Sequence, residues 1–135
     1  IKNKYKKIIV FEDDAIIPKD FWYRFNEAYN ELPKNWDMLL LGGVEYSNNL
    51  LIPDKRSGNW GTSSMLFNIK FIKKIMKNIK LNIPIDDYLR DYFYYDKNYK
   101  IFIVKKLIVD IDYSFNSNIG IGVPEKNYPI VIYKK

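Results

Sequence analysis

Residues 8–15 read Ile8-Ile9-Val10-Phe11-Glu12-Asp13-Asp14-Ala15, and the rest of the predicted fold is organised around them. Four apolar residues in a row, most of them β-branched, predict a buried strand. Three carboxylates follow this strand without a spacer. In open α/β sheets, ligands bind outside the carboxyl ends of the strands, so the stretch brings negative charge to the edge where a ligand is expected.

The three adjacent carboxylates allow two interpretations. They repel one another and therefore need a cation, hydrogen-bond donors or solvent as partners. A divalent metal held for a phosphate ligand is the specific interpretation, because hard cations bind carboxylate oxygens. The alternative is an acidic turn at the start of a helix, which the helix dipole favours. Taken alone, the local pattern favours the turn, since acidic first turns are common.

The composition predicts one globular domain and excludes several kinds of chemistry. The chain has 135 residues, of which 47% are apolar and 17% aromatic, enough for a domain with its own core. It has no cysteine and no histidine, which excludes disulfides, thiolate nucleophiles, Ser-His-Asp triads and histidine-bound metals within it. A general base must then be Asp, Glu, Lys or Tyr, and a metal must bind oxygen ligands, as Mg²⁺, Mn²⁺ and Ca²⁺ do.

The charge of the chain is +6, carried almost entirely by lysine, with arginine at positions 24, 56 and 90. A basic chain is attracted to polyanions, but proteins that read nucleic acid depend on arginine. We therefore expect no nucleic-acid partner. The sequence has no apolar run of about 18 residues and no signal-peptide pattern at its start, so we expect no transmembrane segment and favour an intracellular location.

Helix and strand patterns follow the acidic stretch. Apolar residues at three- and four-residue steps predict helices over 18–32 and 68–80, and another helix is expected to begin near Pro84. Residues 44–59 and 114–122 are predicted loops. Further strands are predicted at 36–41, 60–67, 99–104 and 107–113. The order predicts an α/β domain with a sheet flanked by helices.

Small residues at two strand ends are candidate ligand contacts. Gly42 and Gly43 end the second strand and allow a close approach of the backbone, either to a ligand or to another loop. Thr62 belongs to a run of three hydroxyl residues at the start of the third strand. Such hydroxyls suit a polar ligand, although they more often line a strand edge.

Asp86 and Asp87 follow Pro84 at the start of a predicted helix. One interpretation is that either aspartate is the N-cap of this helix. The other is a carboxylate base at the mouth of a site, because the chain has no histidine for that role.

The predicted helix at 68–80 is strongly amphipathic. Its predicted apolar face consists of Ile69, Ile72, Ile75, Met76 and Ile79. The remaining surface carries Lys70, Lys73, Lys74, Lys77 and Lys80. Such a helix can lie on an anionic membrane as a peripheral contact. We favour docking on the chain's own sheet, because the helix follows a strand directly, as in an α/β unit.

Three segments, in unbroken order over residues 8–92, resemble the family 25 glycosyltransferases, which include lipooligosaccharide and collagen galactosyltransferases. The first is residues 8–15, an apolar strand that ends in Glu-Asp-Asp, a version of the Asp-x-Asp metal motif. The second is the predicted helix from residue 21 to 32 with the following Trp-Asp-Met-Leu-Leu-Leu-Gly at 36–42. The third is Gly-Thr-Ser-Ser-Met-Leu-Phe-Asn at 61–68, the lysine helix, and Pro-Ile-Asp-Asp-Tyr-Leu at 84–89.

The resemblance implies a GT-A-like, Rossmann-like mixed sheet flanked by helices, as one small domain over residues 1–135. It implies transfer of a hexose, such as galactose, from a UDP-sugar to a hydroxyl of a glycan or protein, with Mn²⁺ or Mg²⁺. Asp14 and Glu12 would hold the metal, and Asp86 or Asp87 would be the base for an inverting displacement. The further candidate donor contacts are Glu12, Asp13, Gly42, Gly43 and Thr62.

The chain departs from the family pattern at two places. The family domain has an upstream strand and basic segment, whereas this sequence begins at the strand that leads into Glu-Asp-Asp. Asn118 stands where the family has an aspartate, within Ser-Asn-Ile. We therefore expect a pared-down or truncated GT-A core. The alternative is a catalytically inactive nucleotide- or carbohydrate-binding module with the same fold.

Overall fold

The computed structural model describes residues 5–42, 62–79, 82–94, 96–104, 106–112 and 114. The predicted loop at 44–59 and nearly all of the predicted turn at 114–122 lie outside these residues, as do Gly43 and Asn118.

The described part of the chain contains strands and helices, most of them within the segments that the sequence predicts. The strands are β1 (Lys7–Phe11), β2 (Ala15–Ile16), β3 (Met38–Leu40), β4 (Ser64–Asn68), β5 (Ile101–Ile103) and β6 (Asp110–Ile111). The helices are α1 (Phe21–Asn30), α2 (Ile69–Asn78) and α3 (Ile85–Leu89), and α3 continues as a π-helix over Arg90–Tyr94. The strand predicted at 107–113 is therefore much shorter than expected.

Four strands form a mixed sheet in the order β1-β4-β3-β5. β4 is antiparallel to both β1 and β3, whereas β3 and β5 are parallel. Phe11 lies opposite Ser64, and Leu40 lies opposite both Met65 and Ile103. The carboxyl ends of β1, β3 and β5 therefore meet the amino end of β4 at one side of the sheet, which we call the carboxyl edge. β2 and β6 form a separate antiparallel ribbon.

Each face of the sheet carries its own hydrophobic cluster, because side chains alternate between the faces along a strand. In β3, Met38 and Leu40 face α2, α3 and the π-helix, whereas Leu39 faces α1. All three side chains are fully buried. The mixed α/β layering agrees with the predicted fold class. None of the helices in the described residues has the length and hydropathy needed to span a bilayer.

Helix α1 packs with the face that its spacing predicts. It begins at Phe21 rather than at Pro18, whose carbonyl accepts a hydrogen bond from the Phe21 amide at 3.0 Å. Phe21 and Phe25 are buried, and the ring of Phe21 lies 5.6 Å from that of Phe11. These contacts fasten α1 to β1 directly before the acidic residues.

Helix α2 docks on the sheet, as favoured from the sequence. The Asn68 side chain caps it by accepting a hydrogen bond from the Lys70 amide at 3.0 Å. Phe71 and Ile75 are buried on the sheet. The predicted apolar face was wrong in two details: it omitted Phe71, and it included Met76, which is 62% exposed. Spacing alone does not show which side of a broad apolar face turns toward the sheet.

Strand β1 was predicted to be buried, and this is wrong. It lies at an end of the four-stranded sheet, with β4 as its neighbour. Ile9 and Phe11 pack on the α1 side, while Val10 on the other side is 39% exposed. An edge strand is covered less than a central one, so the apolar run reflects strand propensity as much as burial.

Candidate functional site

The carboxyl edge holds Glu12 directly after β1. The Glu12 amide donates to the Ser63 carbonyl at 2.9 Å, which extends the pairing of β1 with β4 by one residue. The Thr62 hydroxyl donates to Glu12 Oε1, and Thr62 is 2% exposed. A hydroxyl has one proton to donate, so the only donor of the Thr62 side chain is engaged in holding the Glu12 carboxylate.

Asp13 and Asp14 form a turn between β1 and β2. The turn is closed by the Ala15 amide, which donates to the Glu12 carbonyl at 3.2 Å. The Asp14 carbonyl accepts from the Asp112 amide at 2.8 Å, so the β2–β6 ribbon anchors the turn. Asp13 is exposed. The Oδ1 atom of Asp14 is shielded from solvent and has no hydrogen-bond partner among the described residues.

Burial raises the pKa of the Glu12 carboxyl above its ordinary value of 4.5, and the hydrogen bond from Thr62 opposes this rise. The negative charges of Asp14, Asp86 and Asp13 raise this pKa further. Asp86 belongs to α3, far along the chain, yet its charge acts on Glu12. The structure therefore brings Glu12, Asp14 and Asp86 into one electrostatic neighbourhood.

Asp86 and Asp87 lie in the first turn of α3, and the prediction that one of them is its N-cap was wrong. Pro84 occupies the N-cap position, without a side-chain hydrogen bond. Acidic residues in the first turn are instead stabilised by the helix dipole. The position differs from the prediction because the helix begins two residues earlier than a side-chain cap at Asp86 would require.

The two aspartates differ in their partners. Asp87 Oδ1 forms an ion pair with Arg90 Nη1 at 2.6 Å. The same arginine binds Asp91 through Nε at 2.8 Å. Asp86 Oδ1 accepts the Asp87 amide at 2.8 Å, and its charge acts on Glu12. Of the two predicted bases, Asp86 is thus the one associated with the carboxyl edge.

Gly42 makes room for the chain itself. A Cβ atom at this position would lie 2.4 Å from Ser63 Oγ and 2.8 Å from the Val109 carbonyl oxygen. Of the two interpretations of this glycine, close approach of another segment is the one seen. The Ser63 and Ser64 hydroxyls are buried beside it and have no hydrogen-bond partner among the described residues.

Sequence reasoning did not assign roles to the Val109 carbonyl, to the β2–β6 ribbon or to Arg90. The Arg90–Asp87 pair has a local signal, because residues three apart on a helix are neighbours. β6 lies within the strand predicted at 107–113, but its pairing with β2 has no local signal, since both strands are two residues long.

The carboxylates present fit a hard divalent cation in part. No group of three His, Cys, Asp or Glu residues placed to hold a metal occurs in the described ranges. Glu12 and Asp14 supply two carboxylates, and Asp14 has a shielded oxygen without a hydrogen-bond partner in the described part of the chain. A cation that keeps water and phosphate ligands suits such a site, because Mg²⁺ is commonly bound by one or two carboxylates plus substrate phosphates.

A groove of about 480 Å³ lies elsewhere, between α1 and the segment after β5. It is lined by residues such as Arg24, Glu27, Val104 and Lys106, and by none of the predicted site residues.

No family model matches this chain, and no curated protein sequence matches it either.

Proposed function

We propose that this chain is a metal-dependent glycosyltransferase core that transfers a hexose from a UDP-sugar to an acceptor hydroxyl. The observation that supports the proposal is that the charges of Asp14 and of Asp86, from α3, both act on Glu12 at the carboxyl edge. This electrostatic link joins two of the three segments that resemble family 25 glycosyltransferases. The sugar class, the acceptor and the GT-A-like arrangement follow from that resemblance and belong to the proposal.

Glu12 and Asp14 are the residues proposed to hold Mn²⁺ or Mg²⁺. The bound cation would stabilise the charge that develops on the leaving diphosphate. Thr62 orients Glu12 through its hydroxyl, so it acts through the carboxylate rather than on the donor itself. Burial and three neighbouring carboxylates make the negative charge of Glu12 costly, and a cation would relieve that cost.

Asp86 is the residue proposed to accept the proton of the acceptor hydroxyl. Its neighbour Asp87 is held by Arg90, whereas the charge of Asp86 acts on Glu12. A carboxylate is a suitable base here because the chain has no histidine. Asp13 lies exposed in the turn, where it is accessible to a donor.

Thermal unfolding with Mn²⁺ and UDP tests the binding site. Together they should raise the Tm by roughly 5–10 °C at about 100 times the Kd. Asp14→Asn should abolish this shift, while Asp96→Asn, which removes the same charge from an exposed position, should keep it. A full shift in Asp14→Asn would show that the metal assignment is wrong.

Hydrolysis of UDP-galactose separates the transferase from the alternative of an inactive binding module. Asn118, in place of the family's aspartate, is the feature that favours the alternative. For a transferase we expect slow hydrolysis that falls about 10²- to 10⁴-fold in Asp86→Asn and much less in Asp87→Asn. A module would show the Tm shift with Mn²⁺ and UDP but no hydrolysis.

A further inference from the structure

The outer face of α2 carries a lysine stripe, which we define as Lys70, Lys73, Lys74 and Lys77. Their spacing of three, four and seven residues places them on one side of the helix. All four are exposed. Phe71 and Ile75 fix the opposite side of α2 to the sheet, so the stripe faces away from the protein.

No ion pair with another described residue neutralises the charge of the lysine stripe. Helix α2 contains no acidic residue. None of the ion pairs within the described part of the chain involves the four lysines. The Lys74 ammonium lies 5.2 Å from the centre of the Tyr99 ring, a contact that leaves its charge in place. Four positive charges thus lie along a helix of about 15 Å.

Met76 borders the stripe with an exposed apolar side chain. Lysine heads beside an apolar side chain suit the boundary between lipid headgroups and acyl chains, where cations bind phosphates and apolar groups enter the interface. Nucleic acid fits less well, because the stripe offers neither arginine forks for bases nor exposed aromatic rings for stacking.

We propose that the lysine stripe and Met76 form a docking surface for an anionic lipid bilayer. The course of the chain shows where this surface lies relative to the carboxyl edge. β4 leaves that edge at Ser64, and α2 begins at the far end of β4. The surface therefore begins at the side of the sheet opposite the carboxyl edge. The proposal depends on α2 alone and not on the proposed function.

Sedimentation of the full chain with lipid vesicles tests the proposal. We expect binding to phosphatidylcholine vesicles containing about 30% phosphatidylglycerol at low salt, and its loss at about 0.5 M salt or without the anionic lipid. Replacing the four stripe lysines by Gln should lower the partition coefficient at least about 100-fold, since each lysine near such a surface contributes about fivefold. Met76→Ser should lower it a few-fold.

A matched variant controls for net charge. It replaces four exposed lysines elsewhere by Gln, namely Lys19, Lys34, Lys97 and Lys106. This variant should keep most of the binding. The proposal would be overturned if the two variants lost binding equally or if the protein did not bind anionic vesicles. It would also be overturned if duplex DNA at an equal phosphate concentration displaced the protein from the vesicles. The stripe variant should keep the Tm shift with Mn²⁺ and UDP. The result of the vesicle experiment is therefore independent of the result of the Tm experiment that tests the proposed function.

Discussion

Strands β1 and β3 are similar in sequence and different in the structure. Each is an apolar run. The triplet Glu-Asp-Asp follows the run of β1, and the pair Gly-Gly follows the run of β3. β3 is central, and all of its side chains are fully buried. β1 lies at an end of the sheet and is half-covered.

The ends of these two strands also differ, because β1 lies at an end of the sheet and β3 lies inside it. The end of β3 is closed by the chain itself, because Ser63 and the Val109 carbonyl occupy the space beside Gly42. The end of β1 carries carboxylates instead, with Thr62 as a donor to Glu12. Charged groups need solvent or a counter-ion, so an edge strand can carry them where a central strand cannot. The candidate site therefore follows the less buried strand.

The largest expected effect comes from shortening a side chain in each strand. Leu40→Ala in β3 should lower the free energy of unfolding by about 2–5 kcal/mol, because it leaves a cavity in a fully buried layer. Ile8→Ala in β1 removes the same number of carbons from a half-buried position and should cost about 1 kcal/mol. Urea unfolding of both variants measures the difference. Equal losses would mean that β1 is covered as completely as β3.

A smaller effect is expected from adding a methyl group at the end of β3. Gly42→Ala should lower the free energy of unfolding by about 1–3 kcal/mol, because its Cβ would meet Ser63 Oγ and the Val109 carbonyl. Adding Ser63→Ala should restore part of the loss, since the contact with the Val109 backbone remains. Wild-type stability of Gly42→Ala in urea would contradict this close packing.

Much of the fold is encoded locally and was predicted from the sequence. The spacing of Phe21 and Phe25 identifies the buried face of α1, and strand-then-helix order identifies the docking of α2. The positions of the strands in the sheet are not encoded locally. β1 and β3 have equivalent patterns, but among the described strands β1 pairs with β4 alone, whereas β3 pairs with both β4 and β5. Such pairing depends on contacts far apart along the chain.

In the candidate site too, some features are encoded locally in the sequence and others depend on long-range contacts. The sequence names Glu12, Asp14 and Asp86 as candidates, but only the fold brings the charge of Asp86 to act on Glu12. The choice between Asp86 and Asp87 depends on the ion pair of Asp87 with Arg90, which was not predicted although residues three apart on a helix are neighbours. The anchoring of Asp14 by Asp112 had no local signal, because it depends on a two-residue strand pairing.

The smallest expected effect concerns the charge at the end of β1. In metal-free protein the pKa of Glu12 is raised by burial and by neighbouring carboxylates. The folded state then binds this proton more tightly than the unfolded state, so stability falls as the pH rises above about 4.5 and through the folded-state pKa. Glu12→Gln removes that fall and keeps an oxygen to accept from Thr62. Its Tm should exceed the wild-type value by about 1–3 °C at pH 7 and equal it near pH 4.

Glu27→Gln is the matched control for this pH dependence, because it removes the same charge from an exposed position on α1. It should give no gain that grows with pH. If Glu12→Gln were destabilising by the same amount at pH 4 and pH 7, the Glu12 carboxylate would not be crowded by Asp14 and Asp86. The end of β1 would then differ from the end of β3 in shape alone, and the electrostatic reason for placing a cation there would be lost.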